Sequence, residues 1–251
     1  MSFQHPAFAP YQQEIAALGL TSHFPSLHAL SALANQRGLV NAQNRALCFT
    51  PPEKHLPARN YEHHILQTGC IPTRLDNWHD VMNALVWLRF PHFKAALNAA
   101  HGEAMAAEVG TLRGRRRDAL TVLDESGVWV SADDSCLIDA LWQRRWRALF
   151  WEQREAALAH MQFVVVGHAL LEKLLQPYPA ITGKCLQLHP RQLTLDQAQT
   201  QAIAALNTLS APHQLAPLPV LGIPGWDSDN ACSSYYDNED IFRPQRYQPG
   251  L

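Results

Sequence analysis

Between Pro72 and Lys94 the chain reads PTRLDNWHDVMNALVWLRFPHFK, placing Arg74, Asp76, Asn77, His79, Asp80 and Asn83 in an otherwise apolar run. At about 100° per residue, Asp76, His79, Asp80, Asn83 and Trp87 fall on one arc of a helix. His79 and Asn83 are one turn apart and can point at the same spot. Solvated helix faces usually carry Lys, Glu and Arg, whereas short directional groups of this kind are costly to bury unless paired. Two later motifs could complete a site. His168 and Glu172 are one turn apart in the apolar run MQFVVVGHALLEKLL, a spacing that suits a structural pair, a metal-ligand pair or a proton-transfer pair. Asp118 and Asp124 follow the basic run Arg113–Arg117. If the three motifs meet, His79, Asp80, Asn83, Asp124, His168 and Glu172 are the candidate catalytic groups. His79, Asp80, Asp118 and His168 would hold a divalent metal, since imidazole and carboxylate are its common ligands. Arg74, Arg117 and Lys94 would face an anionic substrate.

The elements that position these groups can be read from caps and periodicity. Asp76 reads as an N-cap, with a helix from Asn77 to about Phe90 that ends before Pro91. Trp78, Val81, Met82, Leu85, Val86 and Leu88 form its apolar arc. A second helix follows Pro91 with Phe93, Leu97, Ala100 and Ala104 as its apolar row, leaving Lys94, Asn98 and His101 as a second polar stripe that could face the first but reads more readily as solvated. Tyr61–Thr68 is a short helix closed by Gly69, with His63 and His64 pointing about 100° apart. Upstream, helices are predicted at Tyr11–Leu20 and Phe24–Arg37, with Cys48–Arg59 a proline-broken loop. Ala119–Asp124, the turn Glu125-Ser126-Gly127 and Val128–Ser131 read as a β-hairpin. Ser135–His160 reads as one long tryptophan-rich helical region. Met161–Leu175 fits a strand followed by Gly167 and a helix, or one buried helix, and the single helix is favoured. Thr182-Gly183-Lys184 lacks the rest of a phosphate loop. Cys185–His189 is a candidate strand and Leu195–Leu209 a helix. From Gly225 the chain is acidic, aromatic and irregular. Its Asp227-x-Asp229 lacks the glycine and final Glu of a calcium loop, and it is expected to wrap the domain through Trp226, Tyr235, Tyr236 and Phe242.

The resulting fold class is mainly α with a small β-hairpin (α+β). It is read as one domain over 1–251, with a helical N-terminal region at 1–60, a motif-bearing core at 61–210 and a wrapping tail at 211–251. Hydrophobic residues are 47% and charged residues 17% of 251, which indicates a folded chain rather than a disordered one. The formal charge of -2 gives no bulk attraction to nucleic acid or an anionic membrane, leaving local basic clusters, Arg113–Arg117 among them, as the route to nucleic acid. Five dispersed cysteines without a Cys-x-x-Cys pair fit a reducing compartment. The start MSFQHPAFAPYQQ has neither the basic nor the apolar part of a signal peptide, and no apolar run has the length of a membrane span. A cytoplasmic protein is expected.

The segments NWHDVMNALVWLRFPHFKAALN, RRRDALTVLDESG and GHALLEKLL, with GW, YYDN and FRPQR in the tail, together resemble a largely proteobacterial family of unknown function. The resemblance spans about residues 60 to 245 and implies that the three polar motifs share one domain and meet. His79-Asp80 also resembles the paired residues of HD phosphohydrolases, matched loosely by His63 or His64, His79-Asp80 and Asp118. These readings lead to a metal-assisted hydrolase acting on a phosphate ester or other anionic substrate. The competing reading is a non-catalytic binding protein, with Arg74, His79 and Asp80 in a fold-fixing network and Arg113–Arg117 as a docking patch.

Overall fold

A computed structural model describes residues 3–21, 23–53, 56–108, 113–188 and 193–245. A 3₁₀ turn at Pro6–Tyr11 leads into α1 (Gln12–Ala17), and α2 (Leu27–Gln36) is capped by the Ser26 side chain accepting from the Ala29 N–H. The segment read as pure loop contains a strand, β1 (Cys48–Thr50). It pairs in parallel with β2 (Cys70–Pro72), which follows α3 (Tyr61–Thr68). Between α3 and β2 the chain turns at Gly69, whose φ of 76° is the left-handed closure expected there.

Next come α4 (Trp78–Arg89) and α5 (Pro91–Ala106), split where expected at Phe90–Pro91. The cap of α4 is shifted by one residue. Asn77 Oδ1 accepts from the Asp80 N–H at 3.0 Å, and Asp76 sits outside the helix at φ 52°. Asp tolerates that left-handed conformation better than most residues, so it makes the turn into the helix.

The expected hairpin is corrected. Arg115–Ser126 is one helix, α6, and only the second run is a strand, β3 (Gly127–Ala132). Ala119, Leu120 and Leu123, fully buried, lie one turn apart on one face, a helical period that outweighed the β-branched character of the run. The long helical region is also broken, into α7 (Ser135–Trp142), a π-helical turn (Ala148–Glu152) and α8 (Arg154–His160). Met161–Leu175 is β4 (Met161–Val165) followed by α9 (His168–Lys173), not one helix. The β-branched run won because β3 offers it a partner. β5 (Thr182–Gln187), α10 (Leu195–Leu206) and β6 (Ala216–Pro219) follow, ahead of a tail of short 3₁₀ turns.

The mainly helical α+β class stands, with its β part in the β1-β2 pair and a four-stranded sheet of order β4-β3-β5-β6. β3 runs antiparallel to β4 and parallel to β5, and β6 closes the edge antiparallel to β5. All six residues of β3 are buried, as a central strand covered on both faces requires. Phe90 and Phe93, flanking the α4–α5 break, stack edge-on against Trp129 of β3 with centroids 4.9 Å apart. A second, smaller apolar cluster joins Leu30 of α2, Phe49, Ile65, Ile71 and Trp87. In the tail, Trp226, Tyr235, Tyr236 and Phe242 pack on the main core, and Trp146 Nε1 donates to the Arg243 carbonyl at 3.0 Å. No helix among the described residues is long and apolar enough to cross a membrane.

Candidate metal centre

Three helices deliver the site, and two glycines set their spacing. The Gly127 carbonyl accepts from the N–H groups of both Val166 and Gly167 at 2.9 Å. A Cβ on Gly167 would lie 2.4 Å from Gly127 N. This backbone contact holds the end of α6, with Asp124 and Glu125, against the start of α9, with His168. α4 packs on α9 and contributes His79.

The two imidazoles meet edge to face, with ring centroids 4.5 Å apart and Nε2 to Nε2 3.1 Å. Their Nδ1 atoms face carboxylates: His79 Nδ1 is 3.0 Å from Glu172 Oε2, and His168 Nδ1 is 3.8 Å from Asp124 Oδ1. The second distance is too long for a hydrogen bond, and His168 Nδ1 has no hydrogen-bond partner although buried. Glu125 Oε2 lies 3.6 Å from His168 Nε2. His79, Glu125 and His168 can each turn one ligand atom to within 4.8 Å of the other two. Glu172, hydrogen-bonded at His79 Nδ1, favours the Nδ1–H tautomer there and leaves the Nε2 lone pair free, the arrangement in which ligating histidines are usually held. Two Nε2 lone pairs 3.1 Å apart repel unless a proton or a cation sits between them. Two nitrogens bound at ~2.0–2.1 Å to one tetrahedral ion would lie about 3.3 Å apart, so the observed spacing suits a shared ion.

Around this cluster the charges are already matched. Lys94 Nζ lies 2.5 Å from Asp124 Oδ1. Burial by itself would raise the Asp124 carboxyl, but Lys94 and His168 more than offset it and hold it well below the usual carboxylate range. Asp80 receives Arg74 through Nε at 3.0 Å, Nη2 at 2.8 Å and the backbone N–H at 2.6 Å. Burial again opposes ionisation there, and the Arg74 bonds win, lowering the carboxyl.

The cluster lines a cavity of about 500 Å³ that also takes in Tyr61, Glu62, Arg74, Asn83, His101 and Thr121. Asn83 Nδ2 donates to Tyr61 Oη at 3.1 Å, while Asn83 Oδ1 and His101 Nδ1 are buried without a partner. Burial lowers the His101 pKa and keeps its ring neutral. Orphaned buried acceptors and donors are rare in folded proteins, so their gathering around one cavity suits a polar ligand.

The structure thus brings together His79, Asp80, Asn83, Asp124, His168 and Glu172. Asp118 is placed elsewhere: its carboxylate lies 2.6 Å from Arg113 Nε on the surface, away from the two histidines. The three cations expected to await an anion each face a carboxylate, Arg74 on Asp80, Lys94 on Asp124 and Arg117 on Glu108 at 3.2 Å. Lys94 is also buried at the helix interface. In the basic run, Arg113, Arg116 and Arg117 are paired with Asp118, Glu103 and Glu108. Lys94, Asn98 and His101, expected on a solvated stripe, are buried, and Asn98 Nδ2 donates to Glu62 Oε2 at 2.6 Å. Sequence reasoning missed Glu125 and His101. The buried-face spacing of Ala119, Leu120 and Leu123 was the available signal for Glu125, because it extends the helix through that residue.

Fold and site together define a mainly helical α+β protein with a histidine–carboxylate cluster in the wall of a pocket. The chain belongs to the family described as "Protein of unknown function (DUF3025)", whose profile matches residues 47–246. No curated protein and no solved structure matches it.

Proposed function

We propose that the protein is a metal-assisted hydrolase, with a divalent cation held by His79 Nε2, His168 Nε2 and Glu125. The observation that carries this reading is the 3.1 Å approach of two Nε2 atoms whose Nδ1 atoms face Glu172 and Asp124. A three-ligand set on one side of an open cavity leaves positions on the ion for water and substrate. Bound there, the ion would lower the pKa of its water and polarise a scissile phosphoryl or carbonyl group. Glu172 orients the His79 imidazole, and Asp124, kept ionised by Lys94, supplies negative charge beside His168. Tyr61, Asn83 and His101 line the cavity and position the substrate. A phosphate ester or other anionic substrate would be held chiefly through the ion, because Arg74 is engaged by Asp80.

Elemental analysis of protein purified without added metal, followed by thermal shift with Zn, Mn and Mg, tests the site. The expected result is about one ion per chain and a Tm rise that His79→Ala and His168→Ala abolish. With the metal identified, hydrolysis of generic phosphate mono- and diesters is the activity assay. The saturated Arg74–Asp80 and Lys94–Asp124 pairs favour a second reading, a fold-fixing polar network in a binding protein. Absence of bound metal, with a large stability loss in His79→Ala, would select it.

A further inference from the structure

Beyond the metal centre, Cys48 and Cys70 occupy directly opposed positions on the parallel strands β1 and β2. Their neighbours Phe49 and Ile71 are buried in the smaller apolar cluster. Successive side chains on a strand point to opposite faces, so both thiols lie on the other face, where each is half-buried and reachable by a small molecule. Their Sγ atoms are 2.8 Å apart. Adjacent strands are about 4.8 Å apart, within the Cα separation of about 4.4–6.8 Å that a disulfide spans. The ladder is fixed on both sides of the pair, by Cys48 N donating to the Gly69 carbonyl at 3.0 Å and Thr73 N donating to the Thr50 carbonyl at 2.7 Å.

We propose that Cys48 and Cys70 form a reversible intrachain disulfide, a redox site set into the ladder that borders the pocket. The oxidant is a low-molecular-weight disulfide of the glutathione class. One of the two sulfurs attacks it, forming a mixed disulfide and releasing one glutathione thiol. The other sulfur then displaces the second, so two protein thiols are oxidised while one S–S bond is reduced to two thiols. Burial, together with Cys70 beside it, pushes the Cys48 thiol up to about 12. Both strands end at the cavity. Pro52 and Glu53 follow β1, while Pro72, on the same face as Cys70, ends β2 and Arg74 follows, and all four line it. Oxidation therefore locks one wall of the pocket.

The test uses the full chain carrying Cys136→Ser and Cys232→Ser, which removes the two exposed thiols and leaves Cys48, Cys70 and buried Cys185. Reduced protein is incubated with oxidised glutathione, denatured, alkylated and weighed. The expected result is a fall from three alkylated thiols to one, a Cys48–Cys70 linked peptide, and full recovery with a reductant. Adding Cys48→Ser should convert that product into a stable glutathione adduct on Cys70. Three alkylated thiols after oxidation, or a glutathione adduct that persists on Cys70 while Cys48 is present, would overturn the proposal. Neither readout depends on metal binding.

Discussion

At the scale of single residues, the most consequential choice is the burial of Lys94. Its ammonium compensates Asp124, whose side chain is only 13% exposed, and Asp124 in turn faces His168. Lys94→Met leaves that carboxylate buried and uncompensated, a loss of about 3–5 kcal/mol of stability by urea titration. Lys94→Met with Asp124→Leu should recover most of it, since replacing both partners with apolar groups removes the stranded charge. The same residues set the acid response. Asp80 and Asp124 have folded-state carboxyls lowered by their cations, so the unfolded chain binds protons more readily. The stability they contribute is full above the ordinary carboxylate pKa of about 3.9 and drains away as pH falls below it. His101 acts in a higher window. Its folded pKa is lowered by burial, so below about pH 6.5 the unfolded chain takes up the proton first and stability declines as pH falls. His101→Gln should lessen the decline in stability between about pH 6.5 and 5 in urea titrations, leaving the share due to His5, whose pKa burial also lowers, and the carboxylate-driven loss at lower pH.

At the scale of elements, the site depends on a helix end meeting a helix start. Gly127 and Gly167 make this possible because neither has a Cβ: one on Gly127 would lie 2.2 Å from the Leu123 carbonyl oxygen, and one on Gly167 would press on Ser126 and Gly127 backbone. Backbone atoms where a helix runs into a central strand cannot yield as a flexible side chain would. Gly167→Ala should cost about 1–3 kcal/mol through overpacking. It should also separate Glu125 from His168, so the metal-induced Tm rise shrinks by more than stability alone explains. A control such as Gly19→Ala, in open space though at positive φ, should cost stability and leave the metal response intact.

At the scale of the whole molecule, a resident ion would couple the three helices that hold it. Helix α4 belongs to the first half of the chain and α9 to the second, and only tertiary packing joins them. Ligand binding to the folded state alone stabilises by RT ln(1 + [L]/Kd), about 2.7 kcal/mol at a hundredfold excess over Kd. For a chain of this size that amounts to a Tm rise of roughly 5–10 °C. A chelator should reverse it, and differential scanning calorimetry with and without chelator checks both directions. His168→Ala should have a Tm that is the same in either buffer.

The sequence by itself determined the helical frame around the site: the break at Phe90–Pro91, the Gly69 closure and the short polar groups of α4 are all written in local residue chemistry. It also identified His79, Asp124, His168 and Glu172 as groups able to do chemistry, because such side chains are costly to place in apolar runs without partners. Tertiary structure decided the rest. Whether Met161–Val165 is strand or helix depended on β3 being there to pair with it. The Ala119–Asp124 run joined a helix because its buried face had α9 and the sheet to cover. Long-range packing alone turned Lys94, Asn98 and His101 from an apparent solvated stripe into buried partners of the site. The same packing set the two imidazoles 3.1 Å apart, a distance that no residue spacing along the chain encodes.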